Sequence, residues 1–222
     1  MSGKTAAILG ATGMIGQYLL EQLLNDPYFN TIRILVRRPY ANDHPKLEVK
    51  LVDFKDSESF KLGLEGVDTI FCAIGTTQKN VGGDRKLYYE IDHDIPVNAA
   101  RYGKENGVKT FVMVSSVGAN PGSRTFYLQL KGKTEASVIA EGLSSVHIMQ
   151  PSQLLGQRKE YRMAERIMAP IMKFLSVFLA GSLKKFKAIR GMDVARAMIS
   201  VAKREQKGVF RYTYKGIMEN AV

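Results

Sequence analysis

Hydrophobic residues along this chain fall into short, β-branched runs that alternate with longer stretches of helical periodicity. This alternation is typical of a parallel α/β sheet in which helices connect successive strands. The pattern predicts seven strands, at Thr5–Leu9, Thr31–Val36, Leu47–Val52, Thr69–Ala73, Thr110–Val114, Val146–Met149 and Val209–Tyr212. It also predicts five helices, at Ile15–Asn25, Ser57–Leu64, Tyr88–Asn106, Leu130–Glu141 and Asp193–Arg204. With right-handed crossovers these elements form a doubly wound sheet, and the apolar character of the first five strands predicts that helices cover both of their faces.

The C-terminal third of the chain departs from this rhythm after Gln150 and Pro151. Residues 158–187 are basic, contain several methionines and have helical periodicity without a strand. In an open α/β sheet the ligand binds beyond the carboxyl ends of the strands, so an insertion here would cover that crevice. We therefore expect residues 151–190 to form a small helical substrate-covering region within a single domain of residues 1–222. A packing helix whose methionines fill the core accounts for the same pattern.

The composition is that of an ordinary globular protein, with 45% hydrophobic and 24% charged residues, and it excludes a disordered, collagenous or disulfide-stapled chain. Cys72 is the single cysteine and has no intrachain partner, which fits a reducing compartment. The first residues lack a signal-peptide pattern, and the apolar stretch Ile167–Ala180 is too short and too interrupted to span a membrane. We therefore expect a cytoplasmic protein without a transmembrane segment.

Positive charge is concentrated towards the end of the chain. The formal net charge is +11, and residues 158–215 alone hold 15 Lys and Arg against 4 Asp and Glu. Such a field attracts nucleic acids, anionic lipids, phosphorylated ligands or acidic proteins without choosing among them, and a merely solvated basic face has the same composition. No nucleic-acid-binding motif is recognisable, so we do not expect a nucleic-acid partner, while an acidic protein partner stays a candidate.

A glycine-rich loop lies between the first predicted strand and the first predicted helix. It reads Gly10-Ala11-Thr12-Gly13-Met14-Ile15-Gly16. Glycines at this junction let the backbone turn tightly and approach a pyrophosphate, to which the amino terminus of the helix offers unpaired N–H groups. A structural turn explains one of the three glycines easily and all three poorly. The loop therefore predicts a dinucleotide-binding site.

The residues after the second predicted strand indicate which dinucleotide is preferred. An acidic side chain at this position hydrogen-bonds the ribose 2′-hydroxyl of NAD, but this chain has Arg37 and Arg38. Two guanidinium groups suit a 2′-phosphate, so NADP(H) is favoured over NAD; the alternative is that both arginines are only solvated. Asp53 follows the third predicted strand, where it either faces the adenine or caps the helix that starts at Ser57.

Two pairs of residues carry the candidate chemistry. Tyr127 and Lys131 lie four positions apart at the start of a helical stretch and share one helix face. A nearby ammonium group lowers the pKa of a phenol, which makes the tyrosine a usable proton donor for reduction of a carbonyl group. Ser115 and Ser116 end the fifth predicted strand at the same sheet edge, where the hydroxyl of one or the other can orient a carbonyl oxygen.

With these features the sequence resembles the short-chain dehydrogenase/reductases, and most closely their atypical branch with a Gly-Ala-Thr-Gly loop, which includes a Tat-interacting oxidoreductase and its bacterial relatives. The resemblance covers nearly the whole chain. Its more specific parts are Cys72-Ala73-Ile74-Gly75-Thr76-Thr77 with Lys79, Phe126-Tyr127-Leu128-Gln129-Leu130-Lys131-Gly132, and Gln150-Pro151. It implies a Rossmann fold, oxidoreductase activity on a small-molecule substrate and a nicotinamide cofactor.

The resemblance also implies roles for individual residues. It assigns Thr12, Gly13, Met14 and Ile15 to binding of the pyrophosphate, and Arg37 and Arg38 to binding of the 2′-phosphate. Ile74 and Gly75 would line the cofactor ribose, and Leu154 and Arg162 would make further cofactor contacts. Tyr127 would donate the proton, and Lys131 would bind the nicotinamide ribose. Three features depart from the family pattern. Asp92 replaces an asparagine, Gln150 replaces an arginine, and the serines lie 12 and 11 residues before Tyr127, nearer than is usual.

The residues and the resemblance lead to two hypotheses of function. The first is an NADP(H)-dependent reductase of a small carbonyl compound or a similar acceptor, in which Tyr127 protonates the oxygen while Lys131 and Ser115 position the groups. The second is an NADPH-binding redox sensor with little turnover that acts through the basic segment. Three scattered histidines, His44, His93 and His147, form no ligand spacing, so we expect no metal site. A monomer and a homodimer are both compatible with the sequence.

Overall fold

The computed structural model describes residues 3–155 and 185–222. These ranges contain the strands β1 (Lys4–Leu9), β2 (Phe29–Val36), β3 (Leu47–Leu51), β4 (Thr69–Cys72), β5 (Thr110–Val114), β6 (Ser145–Met149), β7 (Leu154–Leu155), β8 (Ile189–Arg190) and β9 (Gly208–Tyr212). Seven of them form one parallel sheet in the order β3-β2-β1-β4-β5-β6-β9, and β7 pairs with β8 separately. The carboxyl ends of the seven strands therefore lie together at one edge of the sheet.

Helices cover both faces of the sheet. The described ranges contain α1 (Met14–Leu24), α2 (Ser57–Gly63), α3 (Arg85–Tyr89), α4 (Ile95–Glu105), α5 (Phe126–Ala140), α6 (Gly191–Ala202) and α7 (Tyr214–Asn220). A π-helical segment, Glu90–Asp94, joins α3 to α4. Each strand and helix predicted from the hydrophobic pattern is present with ends shifted by a few residues, except that the single helix predicted over Tyr88–Asn106 consists of α3, the π-helical segment and α4. The predicted doubly wound α/β fold is confirmed.

Side chains that alternate along the central strands divide the core into two layers. In β1, Ile8 belongs to the layer under α1 and α6, whereas its neighbour Leu9 belongs to the layer on the other face, under α2 and α4. The first layer contains Phe29 and Phe71, whose rings meet edge to face at 5.9 Å. The second contains Phe60 of α2, which is fully buried. The two layers hold the helices firmly on the sheet, and they leave its carboxyl edge free to carry a site.

Several elements differ from the prediction. β3 is the edge strand and Leu51 is 61% exposed, so the expectation that this strand is covered on both faces is wrong. Helix α5 begins at Phe126, one turn before the predicted start at Leu130, because the ring of Phe126 packs edge to face on Tyr88 at 5.6 Å. The hydrophobic pattern did not predict α7 or the pairing of β7 with β8, which are all short.

The predicted substrate-covering region, residues 151–190, lies largely outside the described residues, as do Arg162 and the stretch Ile167–Ala180. Its two ends lie side by side, because β7 pairs with β8 and the Ser152 hydroxyl donates a hydrogen bond to the carbonyl oxygen of Lys187. The described residues on either side of positions 156–184 are thus neighbours in the fold. Among the described helices, none is both long enough and apolar enough to cross a bilayer.

A buried histidine connects β6 to β9. His147 Nε2 lies 3.0 Å from Ser145 Oγ, and its Nδ1 lies 3.0 Å from the Tyr212 hydroxyl. The imidazole ring also stacks on Phe210, with ring centroids 5.1 Å apart. Burial, with a smaller contribution from the positive charge of Arg204, lowers the pKa of His147 to about 4. The folded protein therefore holds this imidazole in its neutral form.

This shift predicts a loss of stability in mild acid. Between the ordinary histidine pKa of 6.5 and the folded-state value of about 4, the unfolded chain binds a proton at His147 and the folded chain does not. The free energy of unfolding should therefore fall as the pH drops through this range, and His147→Gln should flatten that fall. Urea denaturation at a series of pH values measures both slopes. An unchanged slope in the variant would contradict the assignment.

Candidate active site

The glycine loop packs tightly between the end of β4 and the start of α1. Gly10 has a φ of +84°, and a Cβ atom there would lie 2.8 Å from the carbonyl carbon and oxygen of Ala73. A Cβ atom at Gly16 would lie 2.0 Å from the carbonyl oxygen of Gly10. At Gly13 the nearest such distance, also to the Gly10 oxygen, is 3.3 Å. Packing of the loop itself therefore requires two of the three glycines, more than the sequence suggested.

The amino terminus of α1 offers open N–H groups beside this loop. No side chain of the described residues caps the helix at Gly13, and its first turn has no acidic residue. Thr12 and Gly13 are exposed and Met14 is partly exposed, whereas Ile15 and Gly16 are buried beneath them. An uncapped helix amino terminus carries a partial positive charge that attracts phosphate groups. The residues present therefore fit the pyrophosphate of a dinucleotide.

Two arginines extend this surface along the sheet edge. Arg37 and Arg38 directly follow β2, which pairs with β1, and both are exposed. Neither guanidinium group forms a hydrogen bond or an ion pair with any residue in 3–155 or 185–222. Both are therefore available to bind an anionic group of a ligand that lies along this edge.

Asp53 lies in the neighbouring loop after β3. It is exposed, and its carboxylate accepts a hydrogen bond from the backbone N–H of Lys55 at 2.9 Å. The cap of α2 is Asp56, whose carboxylate accepts from the N–H of Glu58 at 3.0 Å. The idea that Asp53 caps this helix is wrong, because the position one residue before the first helical turn belongs to Asp56.

The loop after β4 is held by a buried carboxylate. Asp92 is 1% exposed, and its Oδ1 accepts a hydrogen bond from the backbone N–H of Thr76 at 2.7 Å. Its Oδ2 lies 2.9 Å from Lys131 Nζ in a buried ion pair. Gly75 passes over this pair, since a Cβ atom there would lie 3.7 Å from Asp92 Oδ2 and 3.8 Å from Lys131 Nζ. Ile74 and Gly75 thereby come to the surface next to the glycine loop.

The π-helical segment Glu90–Asp94 determines where Asp92 lies. The hydroxyl of Thr134, on α5, donates a hydrogen bond to the carbonyl oxygen of Asp92 at 3.0 Å. The Tyr88 hydroxyl donates a hydrogen bond to the carbonyl oxygen of Thr76 at 3.1 Å. Asp92 and Thr76, which bind each other, are therefore each held by a further hydrogen bond. A widened turn in a helix often marks a functional site. In the sequence Asp92 stood out only as a departure from the family pattern, and no spacing signal indicated its contact with Lys131.

Lys131 is a buried, charged group beside Tyr127. Burial by itself lowers the pKa of the Lys131 ammonium group, but the carboxylate of Asp92, together with Tyr127 and Tyr88, outweighs burial and raises the pKa above its ordinary value. Tyr127 precedes Lys131 by one helical turn, is partly exposed and interacts with it electrostatically. The Tyr127 hydroxyl forms no hydrogen bond within the described part of the chain. A protonated lysine therefore lies beside a phenol that is open to a ligand.

The two candidate serines differ in their surroundings. Ser115 is 4% exposed, and its hydroxyl donates a hydrogen bond to Glu135 Oε1 at 2.5 Å. Ser116 is partly exposed, and its hydroxyl has only a long contact of 3.4 Å with the carbonyl oxygen of Val117. The Ser115 hydroxyl is thus committed to a structural partner, whereas the Ser116 hydroxyl is available to a ligand.

Sequence reasoning missed the buried carboxylate of Glu135. It accepts hydrogen bonds from Ser115, from Gln150 Nε2 at 2.8 Å and from Arg211 Nε at 3.1 Å. Glu135 follows Lys131 by four residues on α5, so a search of the same helix face would have found it. No local signal indicated Arg211, which comes from β9.

Other predicted features lie elsewhere. Leu154, in β7, packs partly buried against the core layer under α1 and α6, and the contact predicted for Arg162 stays a prediction. Cys72 is buried in β4, where burial raises the pKa of its thiol to about 11 and keeps it protonated. Within 3–155 and 185–222, no three His, Cys, Asp or Glu side chains come together as a possible metal site.

Comparisons with known proteins connect this geometry to a family. A family model described as NAD(P)H-binding matches residues 10–169. The chain is 39% identical over 165 residues to "Protein FMP52, mitochondrial" of Candida glabrata, which covers 72% of this chain and 68% of that protein. It is 35% identical over 201 residues to the protein of the same name from Debaryomyces hansenii, covering 89% and 87%. It is 32% identical over 168 residues to "Protein HTATIP2" of Rattus norvegicus, covering 74% and 68%.

Solved structures show the same fold at low identity. The Bordetella bronchiseptica enzyme WbmH, in complex with NAD⁺, matches with a TM-score of 0.71 and 17% identity, over 96% of this chain and 76% of that chain. UDP-N-acetylglucosamine 4-epimerase from Bacillus cereus matches with a TM-score of 0.68 and 20% identity, over 98% and 84%. These matches support the fold alone.

The relatives also correct one expectation. The fungal relatives carry names that place them in mitochondria, so the expectation of a cytoplasmic location is wrong. The seven-stranded parallel sheet, the matched NAD(P)H-binding model and the similarity to the rat protein agree with one another. The chain has an NAD(P)H-binding domain and belongs to the atypical short-chain dehydrogenase/reductases.

Proposed function

We propose that this protein is an NADP(H)-dependent reductase of a small carbonyl compound, with Tyr127 as the proton donor. One continuous set of contacts carries this proposal, from the glycine loop to the Tyr127–Lys131 pair. Gly10 abuts Ala73 at the end of β4, and two residues later Gly75 passes over Lys131, with 3.8 Å from its Cβ position to Nζ. The dinucleotide loop and the candidate proton donor are therefore parts of one surface.

The chemistry follows from the groups on this surface. A bound reduced nicotinamide would supply the hydride that reduces the carbonyl carbon. Tyr127 gives its phenolic proton to the carbonyl oxygen, so that the product is an alcohol and the phenolate regains a proton from water. The neighbouring ammonium group of Lys131 stabilises the phenolate while it exists. The Ser116 hydroxyl, which is free of a strong partner, donates a hydrogen bond to the same carbonyl oxygen and orients it.

Lys131 serves two partners in this mechanism. One of its N–H groups meets the Asp92 carboxylate, and the others stay available for a ribose hydroxyl of the cofactor. Because Asp92 is buried and also binds the N–H of Thr76, it fixes the ammonium group with respect to the loop that lines the cofactor ribose. Asp92 is thus a positioning residue, and its negative charge keeps Lys131 protonated.

The preference for NADP(H) rests on Arg37 and Arg38. Both guanidinium groups are exposed at the end of β2 and have no partner within the described ranges. A 2′-phosphate on the adenosine ribose gives such groups charge-assisted hydrogen bonds, whereas the hydroxyl of NAD(H) gives them weaker ones.

The cofactor preference can be measured without a substrate. Calorimetric titration should give tighter binding of NADPH than of NADH. The double variant R37A/R38A should weaken NADPH binding by roughly 10- to 100-fold, because charge-assisted hydrogen bonds are lost, and it should change NADH binding little. NADH in the same variant is the matched control. Equal losses of affinity for both cofactors would indicate that the arginines do not bind the 2′-phosphate.

The proton donor can be tested by removing one oxygen atom. Tyr127→Phe should lower the rate of NADPH oxidation by a carbonyl substrate about 100- to 10,000-fold, since the general acid is gone. Affinity for NADPH should change only slightly, because the ring and the helix remain. Full activity in this variant would rule out the mechanism. Tight NADPH binding without turnover of any carbonyl compound would instead favour the redox-sensor hypothesis.

The ion pair makes a prediction about stability. Asp92→Leu should lower the free energy of unfolding by about 3–5 kcal/mol, because it leaves the buried ammonium group of Lys131 without a counter-charge. The double variant D92L/K131M removes both charges and should recover most of that loss. Urea denaturation of the wild type, both single variants and the double variant completes the cycle. Additive losses in the double variant would show that the two side chains do not interact.

A further inference from the structure

Glu135 is the second buried charge on the inner face of α5. Its side chain is 5% exposed, and both carboxylate oxygens are in use. Oε1 accepts hydrogen bonds from Ser115 Oγ at 2.5 Å and from Gln150 Nε2 at 2.8 Å. Oε2 accepts one from Arg211 Nε at 3.1 Å. The carboxylate therefore connects the ends of β5 and β6 to Arg211 on β9, and each of these partners also holds it in place.

Arg211 is only partly used by this contact. Its side chain is 48% exposed, and Nε is its one atom that forms a hydrogen bond to a residue in 3–155 or 185–222. The guanidinium group is planar and rigid, so a bond at Nε fixes the direction of the two terminal nitrogens. These nitrogens carry donors that suit the two oxygens of a carboxylate or a phosphate. Arg211 is therefore an oriented, positively charged group that is open to a ligand.

This group lies at the same sheet edge as the candidate active site. One carboxylate contacts both Ser115 and Arg211, so the guanidinium group is separated from Ser115 only by the width of that carboxylate. Ser116 is the next residue in the chain, and Lys131 lies one turn before Glu135 on α5. Gln150, at the end of β6, contributes no charge here. Arg211, from the adjacent strand, supplies the positive charge at this place instead.

We infer that Arg211 binds an anionic group of the substrate, a carboxylate or a phosphate, on the carbonyl compound that the protein reduces. This inference rests on the proposed function, because it concerns the substrate of the same site. Glu135 is a positioning residue that sets the orientation of the guanidinium group. The carbonyl oxygen lies at Tyr127 and Ser116 while the anionic group lies at Arg211.

A matched set of substrates tests the inference by turnover. Pyruvate is compared with its neutral isostere pyruvamide, and dihydroxyacetone phosphate with dihydroxyacetone, each with NADPH at physiological salt. The wild type should prefer the anionic member of at least one pair in kcat/KM. Arg211→Gln should lower kcat/KM for that anion about 10- to 100-fold and leave its neutral counterpart nearly unchanged. The pair that responds identifies the anionic group as a carboxylate or a phosphate.

Arg101→Gln is the matched control variant. Arg101 also bonds a glutamate, Glu141, through Nε at 3.2 Å and through Nη2 at 2.9 Å, and its side chain is 50% exposed, but it lies on α4 away from the candidate site. This variant should behave as the wild type with all four compounds. Since R211Q leaves the Glu135 carboxylate without a counter-charge and could unfold the protein, the double variant E135Q/R211Q serves as a second test with no unpaired charge. Equal losses for anionic and neutral compounds in these variants would overturn the inference.

A binding measurement separates this inference from the proposed reduction. Calorimetric titration of oxalate and of inorganic phosphate into the NADP⁺-loaded protein needs no turnover, and neutral oxamide is the control. At least one anion should bind the wild type and R101Q, and its affinity should fall about 10- to 100-fold in R211Q. Failure of both anions to bind the wild type, or equal binding to all variants, would overturn the inference even if Tyr127-dependent turnover is found. Binding of an anion that depends on Arg211, without turnover of any carbonyl compound, would support the anion site and contradict the proposed reductase activity.

Discussion

The buried ion pair between Asp92 and Lys131 connects three parts of the molecule that are distant in the chain. Asp92 belongs to the π-helical segment, Lys131 to α5, and the same carboxylate binds the loop after β4 through the N–H of Thr76. A buried charge that loses its partner is strongly destabilising, so these three parts must keep one arrangement. The surface that Gly75 and Tyr127 present to a ligand depends on that arrangement.

Helix α5 carries the polar groups of the site on one inward face. Tyr127, Lys131 and Glu135 follow one another at successive turns, and each buried charge among them is balanced from another element, Lys131 by Asp92 and Glu135 by Arg211. This arrangement explains why the hydrophobic pattern placed the helix start at Leu130. The first turn of α5 mixes aromatic, aliphatic and polar side chains, which have no simple apolar periodicity.

The glycine loop has a structural role besides the binding role that we propose for it. Gly10 and Gly16 are needed because any side chain would collide with the backbone of Ala73 or of the loop itself. Their close packing brings the open amino terminus of α1 to the surface, with Gly13 at its start. Positive groups then lie along the same edge, from Arg37 and Arg38 at one side to Arg211 at the other. Such an edge favours a ligand and a substrate that both carry negative charge.

Sequence periodicity predicted the seven main strands, five helical stretches, the glycine loop and the Tyr127–Lys131 spacing, because each depends on residues that are close together in the chain. Periodicity did not predict that β3 is an edge strand, or that the Ser115 hydroxyl is already hydrogen-bonded inside the protein. Contacts such as Asp92 with Lys131 and Glu135 with Arg211 join residues from separate elements, and no periodicity records which of them will meet. The sequence by itself thus determined the elements and the candidate chemistry, whereas only the tertiary structure decided the partners of each buried charge, since the folded packing alone brings those groups within reach.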